Sequence, residues 1–133
     1  MARRNCYKGA LKLSKPEYLS AKYYALRYGD WLQEYNALSS SVSSVVLDGM
    51  PHGSGVGNPT EGLAIRRAEI KKKLDLIEKT AEEADKEFSK FILRRAINDE
   101  SFERMNLNDG LYCSQRTFYR KMHAFYYLLA RRI

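Results

Sequence analysis

The strongest constraint on the fold is a run of apolar residues between positions 70 and 91 that are spaced alternately four and three apart. A heptad pattern of this kind places one apolar stripe along one face of a helix. A helix start precedes the stripe at residues 58–61, which read N-P-T-E. We expect this helix either to continue to about Asn98 or to break near residues 85–87. The stripe consists of Ile70, Leu74, Ile77, Ala81, Ala84, Phe88 and Phe91.

The stripe has two candidate partners. It packs either against the first helix of the same chain or, as a coiled coil, against a second copy of the chain in a homodimer. Alanine at two of the positions buries little apolar area, so a two-helix coil through this stripe alone would be marginal. The candidate oligomer interface comprises Ile70, Leu74, Ile77, Ala81 and Ala84.

Another helix is predicted in the N-terminal third of the chain. Residues 14–17 read S-K-P-E, which is a capping box: the serine caps the helix and the glutamate reaches back to the cap. Apolar and small residues then recur at steps of three and four as far as Tyr35. Gly29 weakens this helix locally by about 1 kcal/mol relative to alanine, so it is the candidate position for a kink or break.

A stretch rich in serine, glycine and proline separates the two helices. The serines of residues 39–44 interrupt the apolar pattern, and residues 48–59 contain four glycines and two prolines, which argues against regular structure. We therefore predict a loop over residues 39–58. A loop of this length in a compact domain is either functional or a mobile connector, and backbone amides that bind a DNA phosphate are one functional alternative.

The final third has the pattern of a helix, a turn and a second helix. Residues 100–105 can form a short helix, residues 106–110 have turn chemistry, and Gly110 suits a left-handed conformation. Ser114 is a good N-cap for a helix from Gln115 to about Arg131. The apolar face of this helix is marked by Phe118, Met122, Phe125 and Leu129.

These patterns predict an all-α protein, in which an antiparallel helical hairpin or coiled-coil segment is followed by a C-terminal helix-turn-helix. Well over half of the residues are expected in helices, with no sheet of consequence. The predicted segments are an N-terminal basic arm and helix (1–38), a Gly/Ser/Pro-rich loop (39–58), a heptad helix (59–86) and a helix-turn-helix DNA-binding unit (87–133).

The charge of the chain points to a polyanionic partner, since the net charge is +7 and the isoelectric point is about 9.4. Residues 112–133 contain five arginines and lysines and no acid. The N-terminal residues of a recognition helix enter the major groove, where arginine reads guanine and glutamine reads adenine. Serine, threonine and the helix N-terminus suit phosphates. The alternative is an amphipathic helix with a solvated basic face. The candidate DNA-binding residues are Ser114, Gln115, Arg116, Thr117, Tyr119, Arg120, Lys121 and His123.

A basic group near the N-terminus is a second candidate contact. It serves either as an arm that supplements phosphate binding or as a solvated tail. Its members are Arg3, Arg4, Lys8, Lys12 and Lys15.

Two segments resemble a group of phage regulators. Residues 114–122, S-Q-R-T-F-Y-R-K-M, resemble the S-x-R-T-[VF]-Y-R opening of recognition helices in sigma-factor region-4-like domains. They resemble more closely the RinA, ArpU and late-transcription-regulator families of Gram-positive hosts. Residues 48–60 are similar to the D-G-M-P-x-G-x-G…P-T loop of those proteins. Residues 106–113 depart from the I-A-x-x-L-G-x-S turn of sigma-like domains. The resemblance covers roughly residues 40–133, and it implies a cytoplasmic activator of phage genes in a bacterial host that binds double-stranded DNA without catalysis.

Three functions therefore compete. The first is a sequence-specific DNA-binding regulator, expected to be an activator, of phage gene transcription, with host RNA polymerase as a further partner. The second is a phage small terminase subunit that recognises packaging DNA. The third is an adaptor that binds RNA polymerase or a sigma factor and makes no DNA contact.

Catalytic, metal and cofactor chemistry find little support in the sequence. Cys6 and Cys113 lack the spacing of a zinc site or disulfide framework. Neither His52 nor His123 has a carboxylate arranged for catalysis, and the glycines of residues 53–57 lack the lysine of a phosphate-binding loop. No apolar run approaches the ~18 residues of a membrane span, and no signal peptide is recognisable. A non-enzyme without cofactor or membrane partner, located in the cytoplasm, is expected.

Overall fold

The structure is a computed structural model that describes residues 11–48 and 59–133, and the side chains of residues 11–38 and 61–133. All the regular structure in these ranges is helical, which confirms the all-α prediction. The helices are α1 (Lys15–Leu26), α2 (Tyr28–Asp48), α3 (Pro59–Ala84), α4 (Ser89–Asn98), α5 (Phe102–Asn108) and α6 (Gln115–Ala130).

The chain divides into two compact units. The hairpin unit comprises residues 28–48 and 59–75, which are α2 and the first part of α3. The C-terminal unit comprises residues 11–27 and 76–133, so it contains α1, the end of α3, and α4 to α6. The predicted segmentation placed the N-terminal helix outside the C-terminal unit, whereas the structure makes α1 one of that unit's helices.

The hairpin unit consists of two antiparallel helices, as the sequence predicts. Arg66 on α3 donates two hydrogen bonds to Glu34 on α2, at 2.9 and 3.3 Å. The Lys73 Nζ lies 5.0 Å from the ring centroid of Trp31. Trp31 precedes Glu34 on α2, whereas its partner Lys73 follows Arg66 on α3. The two helices therefore run antiparallel. Trp31 is 3% exposed, so its large indole ring is buried.

The heptad stripe is covered by other residues of the same chain. Ile70, Leu74, Ile77 and Ala81 are at most 3% exposed, and Ala84 is half-buried. A dimer formed through these side chains would first have to open the core of each chain. The structure therefore favours packing within the chain as the role of the stripe, while a dimer stays a prediction without an assigned surface.

Two helix boundaries differ from the prediction. Helix α2 continues through the serines of residues 39–44 to Asp48, so the predicted loop start at residue 39 is wrong. Serine costs a helix only about 0.5 kcal/mol relative to alanine, which is too little to end a helix that is already formed. The N-terminal helix breaks at Arg27 rather than at Gly29, which lies inside α2. The glycine-rich residues 49–58 and the basic residues among 1–10 lie outside the described residues.

The break between α3 and α4 falls where the sequence predicts it. Helix α3 ends at Ala84, and the Asp85 carboxylate accepts a hydrogen bond from the Phe88 backbone N–H at 3.0 Å. This side chain supplies one of the partners that the first turn of α4 lacks. A continuous helix to Asn98 is thereby ruled out, and α4 begins as a separate helix at Ser89.

Helix α1 packs against α6 and α4 in the C-terminal unit. Its capping box is formed as predicted, with the Ser14 N–H donating to Glu17 at 3.0 Å and the Glu17 N–H donating to Ser14 at 3.2 Å. Ala21 and Ala25 are fully buried, and their small side chains allow close approach of the neighbouring helices. None of the helices in the described ranges has the length and apolar character required to cross a lipid bilayer.

Candidate nucleic-acid interface

Helices α5 and α6 are joined by a turn with local capping interactions on both sides. Ser101 caps α5, and Ser114 caps α6 by accepting the Thr117 N–H at 3.1 Å. Gly110 has a φ of 83°, which L side chains rarely adopt. These three features are the ones that turn chemistry and N-cap preference predict.

The core beneath the turn fixes the rotation of α6 about its axis. Phe118, Phe125 and Leu129 are fully buried, and Met122 is 4% exposed. The ring of Phe118 lies 5.7 Å from that of Phe102 on α5, centroid to centroid. Because one face of α6 is committed to this core, the positions on the other side of its first turns must face outward.

Polar contacts hold the turn against α4. Arg94 donates to Glu100 at 2.6 Å and to Asp109 at 2.8 Å, so one guanidinium joins the starts of α5 and of the turn. Hydrogen bonding by Arg94 lowers the pKa of Glu100, and the same two carboxylates raise the pKa of Arg94. Asn106 donates to the Leu111 carbonyl at 2.7 Å. The segment that leads into α6 is therefore held by Arg94 of α4 and by Asn106 of α5.

The outward face at the start of α6 carries exposed arginines. Arg116 and Arg120 are exposed, lie one helical turn apart, and make no ion pair with any residue in the described ranges. Gln115 is exposed and donates a long hydrogen bond of 3.4 Å to the Tyr119 hydroxyl. Together these side chains form a surface, here called the α6 face and comprising Gln115, Arg116, Tyr119 and Arg120.

Ser114 and Thr117 lie at the edge of the α6 face, where they serve the helix itself. Ser114 accepts the Thr117 N–H, and its hydroxyl donates to the Thr117 hydroxyl at 2.9 Å. Ser114 remains exposed and Thr117 is half-buried. The structure thus brings six of the eight predicted residues, residues 114–117, Tyr119 and Arg120, to the α6 face or its edge at the N-terminus of the helix.

Lys121 does not lie on the predicted surface, which corrects the sequence analysis. Its ammonium forms an ion pair with Asp85 and lies 4.9 Å from the ring centroid of Phe88. The side chain is 23% exposed. Lys121 therefore contacts the junction of α3 with α4, because α6 passes beside that junction at position 121.

His123 is also misplaced by the sequence analysis. The residue is 8% exposed, and its Nε2 lies 2.8 Å from the Leu11 carbonyl oxygen. It belongs to the face of α6 that the N-terminal segment covers, so it contacts the protein and not solvent. The basic residues at the far end of α6 are also paired, Arg131 with Glu17 and Arg132 with Glu83.

Two exposed apolar side chains in this region were not predicted from the sequence. Leu107, in the last turn of α5, is 80% exposed, and Tyr112, in the turn before α6, is 83% exposed. The Tyr112 ring lies against Gly110, with its Cε2 3.8 Å from where a Cβ would stand. The available signal was their position in the sequence: Leu107 lies inside the predicted turn and Tyr112 lies between that turn and the next helix, and connecting segments run over the surface of a protein.

The arrangement offers cations, amide and hydroxyl groups and exposed apolar side chains. No group of histidine, cysteine, aspartate or glutamate in the described ranges is placed to hold a metal ion. Comparison of the chain with models of protein families, with curated proteins and with solved structures finds no match.

Proposed function

We propose that this protein is a sequence-specific DNA-binding regulator of transcription that reads duplex DNA with the α6 face. The observation that carries the proposal is the contrast among the basic residues of the C-terminal segment. Lys121, Arg131 and Arg132 are paired with carboxylates of the protein. Arg116 and Arg120, in the first two turns of α6, are exposed and form no ion pair in the described ranges.

The chemistry of the α6 face suits a major groove. A guanidinium donates two parallel hydrogen bonds to the O6 and N7 of guanine, and a glutamine amide pairs with adenine in the same way. Arg116 and Gln115 are the first residues of α6, which is the part of a recognition helix that penetrates deepest. Arg120, one turn later, is positioned for a phosphate at the groove edge.

The preceding helix has the role that a helix-turn-helix assigns to it. Helix α5 supports α6 through the Phe102–Phe118 contact, and the Arg94 ion pairs hold the turn between them. A rigid support matters because a recognition helix must keep its side chains in register with the base pairs. The phage setting and the activating role rest on the resemblance of residues 48–60 and 114–122 alone.

A second function, a protein adaptor that binds RNA polymerase or a sigma factor without DNA contact, is favoured by one observation. Leu107 and Tyr112 expose apolar surface next to the start of α6. Exposed aromatic side chains are enriched among the residues that anchor protein interfaces. Nothing in the described structure specifically favours the small terminase.

The test begins with selection of duplexes from a random-sequence pool by the full chain. We expect enrichment of one motif, and gel shifts on it whose affinity falls steeply with salt. Enrichment of no motif, with binding to RNA polymerase instead, would replace the regulator by the adaptor. A ring-sized assembly in light scattering, with binding confined to packaging DNA, would replace it by the terminase.

A further inference from the structure

A cavity of about 350 Å³ opens between α1, α4 and α6 in the C-terminal unit. Its size lies at the lower end of the range for small-molecule sites in proteins. The residues that line it come from α1 (Tyr18 and Lys22), from α6 (Tyr119, Met122, His123 and Tyr126), and from Arg95 and Asp99 at the end of α4.

The walls are aromatic. Tyr18 and Tyr126 meet edge to face, with ring centroids 5.2 Å apart and planes at 83°. Aromatic guests gain edge and offset contacts with rings arranged in this way. The Met122 thioether lines the same space, and sulfur makes favourable contacts with aromatic rings. An aromatic ring is thus the apolar group that this cavity suits best.

The charge of the lining is positive. Lys22 and Arg95 are its two permanent cations, against the one carboxylate of Asp99. That carboxylate lies 3.6 Å from Arg95 and is 71% exposed, so it compensates Arg95 at the rim. Lys22 forms no ion pair in the described ranges, and its Nζ lies 5.9 Å from the Tyr18 ring centroid. An anionic group on a bound molecule could therefore pair with Lys22 next to the Tyr18 ring.

Asp99, at the rim of the cavity, is the left-handed C-cap of α4. Asp99 has a φ of 56°, and it is the one non-glycine residue in the described ranges with a positive φ. Aspartate tolerates this region better than most side chains do. In this conformation the Asp99 N–H donates to the Arg95 carbonyl at 2.9 Å, which ends α4 beside the cavity.

We infer that this cavity binds a small aromatic acid: a single aromatic ring that carries one carboxylate or one phosphate group. The ring packs among Tyr18, Tyr126 and Met122, and the acidic group pairs with Lys22. Tyr119 belongs both to the cavity and to the α6 face, whereas Arg116 and Arg120 do not line the cavity. The inference does not require the chain to bind DNA, because none of the residues assigned to the guest is one of these two arginines.

Methionine methyl groups provide a direct test on the full chain without nucleic acid. The chain has four methionines, of which Met122 lines the cavity and Met105 is fully buried and does not line it. With ¹³C-methyl-methionine labelling, we expect benzoate to shift the Met122 resonance saturably while Met105 stays in place. Loss of one signal in Met122→Leu assigns the resonance. Phenyl phosphate tests the phosphate form, while benzyl alcohol and acetate lack the charge and the ring respectively.

Charge variants test the anionic half of the inference. Lys22→Met should weaken benzoate binding roughly tenfold, as expected on loss of one charge-assisted hydrogen bond. Lys22→Gln should do the same while keeping a polar side chain of similar length, which controls for folding. Lys86→Met, an exposed position outside the cavity, should bind like the wild type. The inference is overturned if neither benzoate nor phenyl phosphate shifts Met122 saturably, or if benzyl alcohol or acetate binds as tightly as they do.

Discussion

Lys121 on α6 forms an ion pair with Asp85, the residue that follows α3. The other oxygen of this carboxylate accepts the Phe88 N–H at 3.0 Å, and the lysine ammonium lies 4.9 Å from the Phe88 ring centroid. One carboxylate thus shapes the turn into α4 and fastens α6 to it. Lys121 therefore serves the packing of α6, although its place in a basic helix suggested a phosphate contact.

A double-mutant cycle should measure this pair. Both side chains are only about one-fifth exposed, at 23% and 20%. We therefore expect Lys121→Met and Asp85→Asn to show a coupling of about 1 kcal/mol, at the upper end of the range for partly exposed pairs. Urea denaturation of the four proteins gives the coupling. Lys86→Met, next to Asp85 but exposed, is the matched control and should show none. Strict additivity of the first pair would contradict the assigned contact.

Asp85 should also contribute to acid sensitivity. Burial raises the pKa of Asp85, but the hydrogen bonds from Lys121 and the Phe88 N–H outweigh burial, so the net pKa is lowered. A lowered folded-state pKa adds stability above the unfolded value of about 4, and this stability is lost as pH falls through the folded pKa. Asp85→Asn should therefore be less stable than wild type at neutral pH, and the gap should close on acidification. If the urea midpoints of Asp85→Asn and wild type differ by the same amount at neutral and at acidic pH, the ion pair is contradicted.

His123 should matter for folding and not for DNA. Its Nε2 contacts the Leu11 carbonyl at 2.8 Å inside the C-terminal unit. His123→Ala should lower the free energy of unfolding by about 1–3 kcal/mol, because it removes a buried side chain together with its contact to the partly buried Leu11 carbonyl. Its affinity for DNA, measured per folded molecule at low temperature, should equal that of wild type. A selective loss of DNA affinity with unchanged stability would return His123 to the binding surface.

Phe118 and Leu107 provide a matched comparison of core and surface. Phe118 is fully buried against Phe102, so Phe118→Ala should cost about 3–5 kcal/mol of unfolding free energy. Leu107 is 80% exposed, and Leu107→Ala should stay within about 0.5 kcal/mol of wild type. Thermal denaturation of the two variants checks both values. Equal effects would mean that α6 is rotated about its axis relative to the described packing.

Local sequence signals predicted the local structure well. The capping box at residues 14–17, the Ser114 cap and the left-handed Gly110 depend on interactions within a few residues. The apolar spacing of α6 likewise gave the correct buried face, from Phe118 to Leu129. Two local boundaries were wrong. The serine cluster was treated as a stop signal although α2 continues to Asp48, and the break expected at Gly29 falls at Arg27.

The remaining errors concern contacts between distant parts of the chain. Lys121 finds Asp85 36 residues away, and His123 finds Leu11 112 residues away. A helical period shows which residues share a face, but it does not show which element covers a second face. Here α1 covers part of α6, and this turned a predicted reading position into a buried one. For the same reason the stripe residue Ile77 could be placed in a core but not assigned a partner.

The most direct test of the proposed function compares Arg116 with a basic residue away from the α6 face. Lys79 is exposed on α3, next to Thr80, which accepts a hydrogen bond from Arg132 beyond the far end of α6. Both Arg116→Ala and Lys79→Ala remove one exposed positive charge, so they change the net charge of the protein equally. Binding of each variant is measured on the selected duplex and on random duplex at matched salt.

Arg116→Ala should lose about 1–3 kcal/mol of binding free energy on the selected duplex and much less on random DNA, because a base-reading arginine acts only where its guanine is present. Lys79→Ala should match the wild type on both. If Arg116→Ala binds both duplexes as tightly as wild type, the α6 face does not read DNA and the proposed function is wrong.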